Sequence, residues 1–180
     1  LDHLANEASG AGFATLVLRL EAGAQLTFVE QFEATVVEKS NLSSLRCVIT
    51  LSRDASVTHV RFQAANATAH IFSNIEVSCG ENASYRLKTI EFGAKLARND
   101  INIALAGREA SASINGLAIT KGSQYHDTHI TIDHVVGDTK SEMTFRNMVD
   151  GKGEATINGR VLIRKDSQRS GTEQSIANLL

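Results

Sequence analysis

Strict alternation of side-chain character through the last third of this chain limits its fold more than any other feature. In residues 125–168, Asp127, His129, Thr131 and Asp133 share one parity, and Thr128, Ile130, Ile132 and His134 share the other. Met143, Phe145 and Asn147 alternate with Thr144, Arg146 and Met148. Ile157, Gly159, Val161 and Ile163 alternate with Asn158, Arg160 and Leu162. Successive side chains on a strand point to opposite faces, so the stretch reads as strand, turn, strand, turn, strand.

The upstream chain repeats this pattern less sharply. Residues 1–11 are polar and read as a lead-in. Extended pieces follow at 13–20, 26–28, 30–40, 45–51, 57–63, 68–77, 85–92, 93–98, 100–106 and 111–119, with 41–44 as a connector. The count is about a dozen short strands, with no long helical period. A turn residue followed by Ala, one residue and an apolar or aromatic residue opens several of them. Examples are Gly23-Ala24-Gln25-Leu26, Asp54-Ala55-Ser56-Val57, Asn82-Ala83-Ser84-Tyr85 and Glu154-Ala155-Thr156-Ile157. Irregularly spaced units of this kind suit a β-solenoid, in which a small Ala lets one corner sit close to the next. They suit an antiparallel sandwich as well, and the pattern by itself does not choose.

Composition narrows the partners and the core. The chain has 180 residues, enough for one domain with a real core, and is 42% hydrophobic and 21% charged. It has no Trp and no Pro, and aromatics are 5%. The core is therefore aliphatic, and no Pro interrupts a hydrogen-bonded ladder. A net charge of -2 argues against a general nucleic-acid binder. No apolar run approaches the roughly 20 residues of a membrane span. Cys47 and Cys79 form neither a CxxC motif nor a disulfide framework, which favours a reducing, cytoplasmic setting.

Reactive side chains are few. Asp127, His129 and Asp133 share a strand face and form the only arrangement resembling a metal-ligand set. Neighbours two apart on a strand stand roughly 6.5–7 Å apart, too far to converge readily on one ion. The plainer reading is a polar, solvent- or partner-facing surface. His134 falls on the apolar parity and reads as a hydrogen-bonded wall or corner residue. His59 and His70 are isolated and read as structural or surface residues. Cys47 shares the face of Leu45, Ile49 and Leu51 and should be an inert buried thiol. Cys79 abuts Gly80 in an expected turn and is the more exposed thiol. Glu30 and Glu33 have no visible partner constellation. There is no phosphate loop, GxSxG elbow or HExxH motif, and Gly151-Lys152-Gly153 reads as a hairpin or coil turn. No catalytic, cofactor-binding or metal-binding residue is assigned.

A string of spaced residues carries a resemblance. Arg98-Asn99-Asp100, Leu105, Gly107, Gly116-Leu117, Asp127, His134, Ser141, Gly159, Val161, Gln168, Gln174 and Asn178-Leu179-Leu180 resemble the core of the SufB/SufD scaffolds of SUF iron–sulfur cluster assembly. The match is good over 98–180 and looser from residue 21. The ending is closer to SufD, since SufB-like chains usually carry Cys-Asp-Ser where this one reads Ile176-Ala177-Asn178-Leu179-Leu180. Ile157 departs from a more usual Phe, a change of core size only.

The resemblance implies a right-handed parallel β-helix with little or no helix. On this reading residues 1–180 are one core domain cut at both ends from a longer protein. It implies a non-enzymatic scaffold that works with SufB-like and SufC-like subunits, or as a homodimer when alone. The iron–sulfur cluster is then transient cargo of the full complex, with no cofactor held by this segment. Two other readings compete with it: a carbohydrate-binding or carbohydrate-active β-helix, and a metal-binding module centred on His129. Two Tyr and no Trp leave little for sugar stacking.

Overall fold

The alternation becomes thirteen strands among the described residues of a computed structural model, which describes residues 2–5, 10–34 and 40–179. The strands build two all-parallel sheets. The first sheet holds β1 (Asp2–Ala5), β3 (Gln25–Ala34), β5 (Ser56–Gln63), β7 (Ser84–Phe92), β9 (Ser111–Gly122), β11 (Lys140–Gly151) and β13 (Gly171–Leu179), in that spatial order. The second holds β2 (Ala11–Leu20), β4 (Leu42–Leu51), β6 (His70–Cys79), β8 (Leu96–Leu105), β10 (Tyr125–His134) and β12 (Glu154–Ile163). Every strand pairs with the strand two along in the chain, never with its immediate successor. This is a parallel β-helix of about six coils, and it rules out the sandwich.

The interior is built in stacked rows. Along the second sheet, Leu18, Ile49, Val77, Ile103, Ile132 and Val161 are successive register partners. Along the first, Phe28, His59, Leu87, Ile114 and Met143 stand over one another. Ile49, Ile75, Leu87, Ile101, Ile103 and Ile114 are buried almost completely. Each such side chain contributes about 1.5–3 kcal/mol by leaving water. Parallel sheets need cover on their faces. Here each sheet covers the inner face of the other, and the outer faces mix polar residues with exposed apolar ones such as Val17, Phe72, Ile90 and Phe92.

The corner from the second sheet to the first is the most regular part of the molecule. Gly23, Asp54, Asn82, Glu109, Asp138 and Arg169 occupy it on successive coils, and all six have positive φ. Only the first is glycine. Three of the others are held by the next coil: Asp54 N–H donates to Glu81 O, Asn82 N–H to Arg108 O and Asp138 N–H to Gln168 O, at 2.9, 2.8 and 2.9 Å. Behind them Ala55, Ala83 and Ala110 are fully buried, and each carbonyl accepts from the coil above.

The turn–Ala motif is thus a corner signature for Ala24, Ala55 and Ala83. Ala155 is different. It opens a strand of the second sheet, in register with His126. Ala110 belongs to the stack but follows Glu109 rather than a usual turn residue.

Other boundaries differ from the sequence reading. Residues 93–98 and 100–106 are not two strands, because β8 runs unbroken from Leu96 to Leu105. The supposed connector at 41–44 opens β4 from Leu42. The polar lead-in contains β1, paired with β3. The end of the extended piece at 30–40 lies partly outside the described residues. Gly151-Lys152-Gly153 is a coil turn, since β11 and β12 lie in opposite sheets.

Candidate functional site: a buried charge network and an outer ion-pair ladder

Inside the solenoid the aliphatic rows are interrupted by charge. Glu30, Arg61 and Glu91 all have inward parity on the first sheet and are buried. The Arg61 guanidinium donates to Glu30 Oε2 at 2.6 Å, to Asn99 Oδ1 at 3.1 Å and to Ser73 Oγ at 3.0 Å. It also lies 3.6 Å from Glu91 Oε1 and 5.1 Å from the centre of the Phe32 ring. Glu91 accepts from Asn99 Nδ2 at 2.7 Å and from Thr89 Oγ1 at 3.0 Å. His59 stacks on Phe28, meets the Tyr85 hydroxyl at 3.0 Å and lies 3.4 Å from Glu30. Burial pushes the His59 pKa down, against the pull of Glu30. Burial also lifts the Tyr85 phenol well above its ordinary range. The carboxylates raise the pKa of Arg61 despite its burial, so the guanidinium stays charged.

Sequence reasoning missed this network. Glu30 was read as having no partner constellation, yet its partner Arg61 lies on the next coil, in register with it. The available signal was parity: Glu91 shares the face of Tyr85 and Leu87, and a charge on an apolar face needs a partner.

The face carrying Asp127 and His129 is organised by a cation. Arg98 hydrogen-bonds Asp100 and Asp127, and its guanidinium lies 3.2 Å from His129 Nε2. His129 Nε2 is 3.1 Å from Asp127 Oδ1. The side-chain hydrogen bond to Asp100 is the main cause of the raised Arg98 pKa. Asp133 stands apart and holds Arg164 at 2.6 Å. The three residues of the sequence-level metal face are therefore split between two ion pairs with arginines. Among the described residues, no three His, Cys, Asp or Glu side chains are placed to hold a metal ion.

His134 is fully buried, as its parity indicates. Its Nδ1 meets Thr139 Oγ1 at 2.7 Å, its Nε2 meets Ser141 Oγ at 2.9 Å, and Ser141 donates on to Thr172 at 3.0 Å. Burial lowers its pKa, partly opposed by Asp133. Both cysteines are free and buried, and both thiols are pushed up to about 12, chiefly by burial. For Cys79 this corrects the sequence reading. Strand β6 runs on to residue 79, so the thiol falls on the parity of Ile75 and Val77, and the turn begins only at Gly80.

Strands β12 and β13 are the last of the described residues. Strand β13 has every described residue exposed, and among the described residues it pairs only with β11. Thr172, Gln174, Ile176 and Asn178 have the inward parity of Ser141, Met143, Phe145 and Asn147. Ile176 is 44% exposed. Strand β12 is likewise an edge, with Leu162 and Ile163 exposed. Strand edges of this kind are where a further coil or a partner's strand adds to a sheet.

The family model described as SUF system FeS cluster assembly, SufBD core domain, matches residues 3–180. The chain belongs to the SufBD core-domain family. It is similar to an iron–sulfur cluster assembly SufBD family protein of Synechocystis, 26% identical over 174 residues and 92% of this chain. It is also similar to the iron–sulfur cluster assembly protein SufD of Escherichia coli, 23% identical over 163 residues and 91% of this chain. The chain covers 38% of the length of each of these relatives.

The residues that carried the family resemblance have physical roles in the coil. Asn99 completes the buried charge network, and Arg98 with Asp100 and Asp127 builds the outer ion-pair ladder. Gly116 lies under the Phe145 ring, where a Cβ would stand 2.1 Å from ring carbons. At Gly107 a Cβ would stand 2.1 Å from the Glu81 backbone nitrogen of the preceding coil. His134 and Ser141 form the buried relay that continues to Thr172.

Proposed function

We propose that this chain is the β-helix core of a SufD-like scaffold subunit in SUF iron–sulfur cluster assembly. The observation that carries the reading is the match of the SufBD core-domain model to residues 3–180, on a chain folded as a parallel β-helix. Sheet edges and end coils of this β-helix, β12 and β13 among them, would pair with a SufB-like subunit, and an ATPase subunit of the SufC type would complete the complex through parts of the protein other than this core. The role is non-enzymatic: the chain supplies a rigid wall and an edge, and the nascent cluster is cargo of the complex. Both thiols are buried and protonated, which supports placing the cluster's protein ligands outside these coils.

Co-expression of the full-length protein containing this chain with SufB-like and SufC-like proteins tests the reading. A stable complex should co-purify, and Ile176→Lys together with Ala177→Pro should release the SufB-like partner while the core stays folded. Absence of any complex from the unmodified protein would refute the scaffold assignment.

A further inference from the structure

The outer face of the first sheet carries an apolar strip that the solenoid itself does not use. Phe92, Ile119, Met148 and Leu179 are successive register partners across β7, β9, β11 and β13. Beside them, two residues along each strand, run Phe62, Ile90 and Leu117. Ile90 is 42% exposed, Phe92 39%, Met148 41% and Leu179 62%. Phe62 and Phe92 meet edge to face at 5.1 Å. Neighbouring strands are roughly 4.8 Å apart, so four in-register residues span roughly 14 Å. Past Phe92 and Ile119 the strip drops into a hollow at the second corner, floored by Ala64 and Ala67 and edged by Lys121.

Charge beside the strip is mainly positive, with one carboxylate, Asp150, which follows Met148 on its strand face and is the register partner of Lys121. Lys88 precedes Ile90 on its strand face, Arg146 lies between Leu117 and Met148, and Lys121 follows Ile119. All three are exposed, and among the described residues none takes part in an ion pair. Several other arginines of the solenoid surface, Arg46, Arg98 and Arg164 among them, are satisfied by carboxylates of the fold. Arg146 finds only neutral partners, the Phe145 carbonyl and Ser175.

We propose that this face docks an acidic amphipathic helix of a partner polypeptide. The helix would lie across the strands, set apolar residues on Ile90, Leu117 and Met148, place one large anchor in the corner hollow, and meet Lys88, Lys121 and Arg146 with carboxylates. A strip of roughly 14 Å corresponds to about three turns of helix. A second copy of this chain bringing the same face would oppose Lys88 and Arg146 to each other at the middle of the strip, which disfavours self-association here. A flat sheet face without Trp and with three cations is a poor match for a bilayer interface, where protruding aromatics and polybasic clusters do the work. The strip reaches β13 at Leu179, but the contacts proposed here are on β7, β9 and β11 and do not depend on what the β12 and β13 edges bind.

The test uses the full chain and a fluorescein-labelled helical peptide of about 14 residues, with Leu at i, i+3, i+4 and i+7 and Glu elsewhere. Twin peptides carry Gln or Lys in place of Glu. Anisotropy titration should show the Glu peptide binding at least about tenfold more tightly than the Gln twin. Met148→Asp should lose at least about tenfold in affinity with an unchanged thermal transition. Lys88→Glu with Lys121→Glu should shift the preference to the Lys twin. Equal binding of the Glu and Gln peptides, or no binding of either, overturns the proposal. So does a concentration-dependent dimer in sedimentation, or flotation with phosphatidylserine vesicles, if either is abolished by Met148→Asp.

Discussion

At the scale of single residues, the buried arginine is the most consequential group. Arg61 is 2% exposed and faces two buried carboxylates. Removing one member of such a set strands the others' charge in a dry interior, where the cost is about 3–5 kcal/mol. Arg61→Met should therefore lower stability by that amount, read as a shift in the urea midpoint at constant slope. A triple variant that also replaces Glu30 and Glu91 with Leu should recover most of the loss. If it does not, the arginine is held by packing against Phe32 rather than by its charge. The two buried histidines set the acid response. His134 and His59 both have pKa values lowered by burial, so the unfolded chain binds more protons than the native one as pH falls below about 6.5. Stability should rise with pH through that region and be lost on acidification. His134→Gln, which can keep polar contacts with Thr139 and Ser141, should flatten the slope measured by unfolding between pH 7 and the acid limb (about pH 5). An unchanged slope would show that His134 does not contribute.

At the scale of strands and corners, close backbone approach explains more than propensity does. A Cβ on Gly107 would sit 2.1 Å from the Glu81 nitrogen and 2.3 Å from the Gly80 carbonyl carbon, both backbone atoms that cannot swing aside. Gly107→Ala should cost about 1–3 kcal/mol or more through forced separation of two coils. Gly12→Ala meets nothing within 4 Å and should be near neutral. Equal effects in urea unfolding would count against the corner argument. Much of this level was legible in the sequence. Period-two alternation located β10, β11 and β12 closely, because inward and outward environments differ sharply there. It failed where the inward face is polar. In β8 the inward Asn99 and outward Asp100 both look like turn residues, and the strand was split. The positive-φ corner at Glu109 and Arg169 was invisible for a related reason. Those residues are poor left-handed formers, and the corner stack that places them, with the Arg169 side chain bonded to Asp138 of the preceding coil, shows only in the fold. The charge network was hidden for the same cause: Glu30 and Arg61 are far apart in sequence and adjacent only once the register is known.

At the scale of the whole molecule, stability is a sum over neighbouring coils. Each strand pairs with at most two others, and long-range contacts run almost entirely between strands two apart in the chain. In such a one-dimensional array an inner coil is supported from both sides and a terminal coil from one. The middle coils, β5 to β8, have strictly alternating buried side chains, whereas β13 is exposed along its whole length and β2 over most of it. Amide hydrogen exchange of the isolated chain should rank protection accordingly, with β6 and β8 near the global unfolding free energy and β13 opening at little cost. The scaffold reading adds a second requirement. On that reading a SufB-like subunit bound at the β12 and β13 edges would cover these strands, so protection there should rise on complex formation while the middle coils stay unchanged. Slowed exchange in β13 with an unaltered centre would place the partner at these edges; a change confined to the centre, with β13 still exchanging freely, would move the interface away from them.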